Sequence, residues 1–212
     1  SIKSGQVVYE TLKDYYNCYR IYIKENEWIL KKDNDSYKID IDDFKIDGLT
    51  NLKLDCIFNA IHGTPGEDGK MQKYFEDKNI PITGCNSYQS ELTFDKIDCL
   101  NFLSSKGIKV ASSISLLKSE KINFDEIENK IGFPCFVKAS NSGSSFGVFK
   151  VYDKEEIIHC INSALKVDNK VLIESFIDGR EFSIGVISFK GSTKVLPITE
   201  IITSNDFFDY EA

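Results

Sequence analysis

Apolar positions change spacing several times along this chain, and each change marks an element. Val8 and Leu12, with Tyr15 and Tyr16 beyond, recur at helical spacing, and Ser4 stands where a helix N-cap is expected. Tyr19, Ile21 and Ile23 then alternate with polar neighbours, which predicts a strand. The runs 27–30 and 37–39 flank Asp33-Asn34-Asp35-Ser36, a pattern that predicts a hairpin. Cys56-Ile57-Phe58-Asn59-Ala60-Ile61 is nearly continuous in apolar character, the pattern of a strand buried on both faces. A loop from His62 to Gly69 and a helix over 70–78 follow, so residues 1 to about 85 read as an open, largely parallel sheet with helices.

The texture shifts from Thr93 onward. Residues 95–106 predict a helix that Gly107 terminates. Strand patterns at 114–117, 135–138 and 148–151 alternate with helical ones at 125–131 and 154–165, an α+β arrangement. From Val171 the pattern becomes almost wholly strand-like, at 171–174, 181–187 and 195–202. Three blocks are therefore expected: 1–90, 91–170 and 171–212. The sheet begun by the last block keeps an open edge if nothing follows Ala212.

Composition narrows the function classes. The chain has 212 residues, 42% of them apolar and 28% charged, enough for a sizeable core. A formal charge of −7 argues against nucleic acid or an anionic membrane surface as the main partner, but a nucleotide needs only a few local cations. Six cysteines are scattered singly beside only two histidines, which disfavours a zinc site and fits reduced thiols in the cytoplasm. Cys56 and Cys135 lie inside apolar runs and are expected to behave as small hydrophobes. No run of about 18 apolar residues is present, so no membrane span is expected.

Chemistry concentrates in a few places. Lys138-Ala-Ser-Asn-Ser-Gly-Ser-Ser-Phe-Gly147 follows the apolar run 133–137. Small residues let backbone N–H groups approach phosphate oxygens, hydroxyls add donors, and a lysine at the strand end supplies charge. A plain connector of small residues has the same composition. Lys96 stands at a helix start, where helix and ammonium could act on one anion, or where it could be an ordinary surface lysine. Glu174 closes an apolar strand and Glu181 follows a tight turn. They could serve an adenine amino group and ribose hydroxyls, or simply be solvated strand ends. The glycine-rich stretch from Asn59 to Gly69 carries His62 at a strand's C-terminal end, where open α/β sheets bind ligands. His159, among Ile157, Ile158 and Ile161 on a predicted helix, is expected to be structural.

Taken in order, these motifs resemble the D-alanine–D-alanine ligases of the ATP-grasp superfamily. The resemblance rests on Ser1-Ile2-Lys3-Ser4-Gly5, His62-Gly63-x-x-Gly66-Glu67-Asp68-Gly69, Thr93-Phe94-Asp95-Lys96 and the stretch 132–147. It continues through Val171-Leu172-Ile173-Glu174, Gly179-Arg180-Glu181-Phe182 and Phe208-Asp209-Tyr210-Glu211-Ala212, and so covers essentially the whole chain. It implies a Rossmann-like N-terminal domain followed by an ATP-grasp fold whose C-terminal half is largely missing. It also implies ATP-dependent ligation of two D-alanines through an acylphosphate, for peptidoglycan synthesis, by a homodimer. By position it implies that Lys96 and Lys138 contact the ATP phosphates and that the loop at Ser144 and Ser145 closes over them. Ser144 also joins a hydrogen-bond relay at the first D-alanine, which His62 faces. Phe136 lines the base pocket, Glu174 accepts from adenine beside the backbone of Phe176 and Ile177, and Glu181 binds ribose. The family's glycine-rich first strand, its glutamate just before Ser1, and the segment holding the Mg2+ ligands have no counterpart here, so a chain incomplete at both ends is expected. Ligases that use D-lactate or D-serine share the scaffold, and a catalytically incomplete nucleotide-binding fragment is the alternative from another class.

Overall fold

A computed structural model of the chain describes residues 1–24 and 26–203. The F-D-Y-E-A segment, 208–212, lies outside the described residues. The chain divides into two compact units, residues 1–94 and Asp95 onward, where the sequence pattern set out three blocks.

In the first unit, α1 (Ile2–Leu12) starts earlier than expected, with Ser1 at its N-cap and Ser4 inside the first turn. Three strands, β1 (Arg20–Lys24), β2 (Glu27–Lys32) and β3 (Asp35–Ile39), form an antiparallel meander that contains the expected hairpin. The expected open parallel sheet is not what these residues build. Cys56–Ile61 is not a regular strand: its one parallel contact is a bridge between Ile57 and Ile82, and both Cys56 and Phe58 are exposed. An apolar run becomes a buried strand only when a neighbour covers it, and local pattern does not supply the neighbour.

Two helices complete the unit, α2 (Lys70–Asp77) and α3 (Ser87–Phe94). The second has no clear apolar stripe. Its start is held by Asn86, whose side chain accepts from the Gln89 N–H (2.8 Å), and by Glu76 of α2, which accepts from the Ser87 N–H (2.8 Å) and hydroxyl (2.6 Å). The core is aromatic. Trp28 lies 4.8 Å from Tyr74, and Phe44 and Phe75 meet edge to face at 5.2 Å, arrangements that favour aromatic pairs beyond simple burial.

The second unit is built on a four-stranded antiparallel sheet in the order β4 (Ser113–Leu117), β7 (Lys170–Ser175), β5 (Cys135–Ala139), β6 (Val148–Val151). Residues 171–175, grouped by pattern with the third block, are thus a central strand here, hydrogen-bonded on both sides. The helices are α4 (Lys96–Ser105), α5 (Phe124–Lys130) and α6 (Lys154–Ala164). Gly107 ends α4 at φ +76°, with its N–H on the Ser104 carbonyl and the Ile108 N–H on that of Leu103, so the expected glycine stop is a Schellman turn.

Alternation gives this sheet two unlike faces. Val137, Val151 and Ile173 point to one side and are fully buried with Ile127 of α5 and Ile157 and Ile161 of α6. Each such side chain stabilises the fold by roughly 1.5–3 kcal/mol. Cys135 lies in this core, where burial pushes its thiol up to about 11, and the six described cysteines are all free. His159 is exposed on α6 rather than packed. Finally, β8 (Glu181–Phe189) and β9 (Ser192–Ile201) form a separate two-stranded hairpin, exposed over nearly its whole length. No described helix is long and apolar enough to cross a membrane.

Candidate functional site

Partners across an antiparallel ladder share a face, so the register fixes what the uncovered side of the four-stranded sheet presents. Phe136 pairs with Glu174 on one side and Lys150 on the other, while Lys138 pairs with Leu172 and Val148. Lysine, carboxylate and aromatic ring therefore meet on one surface. Lys138 Nζ donates to Glu174 Oε2 at 2.5 Å and sits 5.0 Å from the Phe136 ring centroid. Phe176, just past β7, stands 6.2 Å from Phe136, with Lys150 Nζ 4.3 Å above its ring. The Lys138–Glu174 pair is only partly exposed, so it is less screened than a surface pair.

Lys96 arrives from another element. Asp95 caps α4 and its next residue turns toward the serine-rich loop, where Lys96 Nζ donates to the Ser142 carbonyl (2.6 Å), the Ser142 hydroxyl (3.1 Å) and the Ser140 carbonyl (3.3 Å). Burial lowers the Lys96 pKa below the ordinary lysine value, and the Lys138 charge lowers it further. Two ammonium groups held near one another in a half-buried place are relieved by an anion.

The loop itself turns sharply. Ser144 and Ser145 have φ of +51° and +56°, and the Phe146 N–H closes on the Gly143 carbonyl at 3.0 Å, the pattern of a type I′ turn. Asparagine or glycine usually fills such positions, because a side chain in the left-handed region costs energy. At Gly147 (φ +71°) a Cβ would come within 3.1 Å of the Ala139 Cβ. The loop's root is the best-anchored part. Ser140, fully buried, receives the Lys96 N–H on its carbonyl (3.2 Å) and donates its own N–H to the Lys170 carbonyl (3.0 Å).

Of the residues picked from sequence, Phe136, Lys138, Glu174 and Phe176 come together directly, and Lys96 joins them through charge and the loop. Ile177 is exposed beyond Phe176, and Glu181 opens β8. Beside Glu181, Arg180 grips Glu200 with two hydrogen bonds of 2.6 and 3.0 Å, a pairing of hairpin strands that sequence reading did not anticipate. Asp168 and Lys170 were also missed, and Asp95, Ser140 and Asn141 were named only as members of motifs, with no role of their own. The one available signal was Asp95 at an N-cap position immediately before a candidate lysine.

His62 belongs to the first unit. Its ring Nε2 lies 3.2 Å from the Ser4 hydroxyl, and its N–H donates to the Ser1 hydroxyl at 3.1 Å, so Ser1, though at the N-cap position, gives its hydroxyl to the histidine and makes no side-chain cap bond to α1. The loop that follows is tightly made. Glu67 accepts from the Gly63 N–H (2.6 Å), and the Gly66 carbonyl accepts from both Asn59 (2.7 Å) and Gln72 (2.8 Å).

Comparisons with known proteins place the chain among relatives. The family model described as "D-ala D-ala ligase N-terminus" matches residues 1–85, and "D-ala D-ala ligase C-terminus" matches residues 102–212. The chain is 52% identical to a D-alanine–D-alanine ligase of Flavobacterium johnsoniae, with all of this chain and 67% of the relative covered. It is 49% identical to that of Christiangramia forsetii, covering 66% of it, so the chain spans about two thirds of the length of these curated relatives. Among solved structures, the VanG D-Ala:D-Ser ligase of Enterococcus faecalis matches 99% of this chain and 67% of its own, at 28% identity and a TM-score of 0.83. A D-alanine–D-alanine ligase of Bacillus anthracis complexed with ATP matches 73% of this chain and 50% of its own, at 37% identity and a TM-score of 0.63.

Proposed function

The chain belongs to the D-alanine–D-alanine ligase family, and on that premise we propose that it binds ATP on the uncovered face of its four-stranded sheet and joins two D-alanines. The observation that carries this reading is the meeting of Lys96 and Lys138, from different elements, at the root of a serine-rich turn beside Glu174 and two aromatic rings. Cations and hydroxyls suit a triphosphate, while flat rings and a carboxylate suit an adenine with its amino group.

In the proposed reaction a carboxylate oxygen of the first D-alanine attacks the γ-phosphorus of ATP. The bond to the β,γ-bridging oxygen breaks, and ADP leaves with those electrons. The amine of the second D-alanine then attacks the acylphosphate carbon, the C–O bond breaks, phosphate departs, and the amine loses a proton. Such transfers depend on positioning and on neutralising charge on the phosphoryl oxygens. Lys96 and Lys138 supply that charge and the turn at Ser144 and Ser145 covers it, with Ser144 passing hydrogen bonds to the first D-alanine. Phe136 and Phe176 flank the base, Glu174 and the Ile177 backbone read its edge, and Glu181 takes the ribose. His62 serves the first D-alanine. Family membership also implies Mg2+, but no group of three or more His, Cys, Asp or Glu among the described residues could hold it, so no step here runs through the metal.

The likeness to a D-Ala:D-Ser ligase keeps D-serine open as second substrate, whereas the curated relatives named above favour D-alanine. ADP release by the intact protein with ATP and magnesium tests the reading. It should require D-alanine, be absent with L-alanine, and yield a D-alanyl dipeptide by mass. Nucleotide binding without D-alanine-dependent ADP release would reduce the protein to a binding module.

A further inference from the structure

Asp95 is the only charged residue buried among the described residues, and it is heavily ligated. Oδ1 accepts from the Ser140 hydroxyl (2.6 Å) and the N–H groups of Ile97 (3.0 Å) and Asp98 (3.2 Å). Oδ2 accepts from Lys170 Nζ (2.7 Å) and Asn141 Nδ2 (3.2 Å). Capping a helix needs only one oxygen on one or two N–H groups, which a serine provides without burying a charge. The remaining bonds tie down three other points: Ser140, Asn141 and the first residue of β7. Asp168 reinforces the same corner, its Oδ2 accepting from the Asn141 N–H (2.8 Å) and Nδ2 (2.9 Å).

Everything these bonds fix leads to the phosphate loop. Lys96 follows Asp95 directly, and Ser140 and Asn141 form the root from which Ser142 to Gly147 extend. We propose that Asp95 is the positioning residue of the phosphate cradle, locking the Lys96 backbone and the loop root into one corner so that ammonium and hydroxyls meet the triphosphate together. The proposal rests on the nucleotide-binding reading above. Burial opposes the Asp95 charge, but the bonds from Lys170, Ser140 and Asp98 outweigh it and hold the carboxyl at about 2, so the corner stays ionised at neutral pH.

The test compares Asp95→Asn with Ile161→Val, a core change on the opposite side of the sheet, in the intact protein. Asparagine still caps α4, so the helix persists while the charge facing Lys170 is lost. Asp95→Asn should raise the ATP Kd and KM about tenfold and leave the D-alanine KM unchanged, whereas Ile161→Val should lower Tm without moving either. Lys170→Met should reproduce the Asp95→Asn effect, Lys170→Arg should largely restore wild-type affinity, and the Asp95→Asn/Lys170→Met double variant should be no worse than either single one. ATP affinity within twofold of wild type in Asp95→Asn, with only Tm reduced, would overturn the positioning role and leave a structural staple. Should Asp95→Asn fail to fold, the Lys170 pair decides by the same criterion. Wild-type protein that is folded yet binds no ATP overturns the underlying site reading. Binding lost in Lys138→Ala but kept in Asp95→Asn sinks the positioning role alone.

Discussion

Two glycine-bearing loops follow apolar runs in this molecule, one in each unit, and they use their small residues for opposite ends. In the loop 62–69 glycine is demanded by crowding. A Cβ at Gly66 would lie 2.3 Å from the Ile61 carbonyl oxygen, and one at Gly69 would lie 2.5 Å from that of Ser87. In the loop 138–147 the sharpest backbone belongs to Ser144 and Ser145, where glycine would be easier. The first loop spends Gly66 and Gly69 on packing and presents a single ring held by Ser4. The second accepts conformational cost at two serines and places another, Ser142, on Lys96. Glycine content alone therefore does not locate chemistry; the company it keeps does.

The largest expected effect tests the crowding side of this contrast. Gly66→Ala forces a methyl group into backbone and should cost the first unit about 3 kcal/mol, read by chemical denaturation. A loss below about 0.5 kcal/mol, the level of an ordinary surface change, would mean the loop yields easily and the contrast fails.

The charged side comes next. Lys138→Ala removes the proposed phosphate partner and leaves Glu174 without its ion pair, so ATP affinity should fall roughly 10- to 100-fold. The same change has a sign that can be checked by pH. Burial and the Lys138 charge together lower the Lys96 pKa, so removing Lys138 raises it. The alkaline fall in whatever ATP binding remains should then move to higher pH; a fall at lower pH would contradict the coupling of the two lysines.

Ser144→Gly gives the smallest effect and sharpens the comparison most. Glycine relieves the left-handed residue, so stability should hold or rise by about 0.5–1 kcal/mol, while D-alanine-dependent ADP release drops for want of the hydroxyl. Lower stability with unchanged turnover would assign the serine to structure.

Parts of this contrast were legible beforehand. Lysine at the end of a strand, followed by serines and glycines, marked the second loop. Other parts were not. Cys56–Ile61 has the composition of a buried strand, yet it meets only Ile82 through Ile57 and leaves Phe58 outside. The helix α3 carries little apolar periodicity of its own and starts where Glu76 of another helix binds Ser87. The strands β8 and β9 were visible by alternation, but alternation does not say what, if anything, covers their faces.

Local pattern by itself determined most of the helices and strands of the second unit and, within each strand, which side chains share a face, because helix and strand periods are properties of neighbouring residues. It also determined the stop at Gly107, whereas Asp95, read as the helix's first residue, is its N-cap. Only the tertiary structure decided which strand lies beside which. That choice set Glu174 against Lys138, 36 residues away, and brought Lys170 to Asp95 across 75 residues. Such pairings follow from long-range register, and register is settled by burying one whole face of the sheet, an energy summed over all its strands at once.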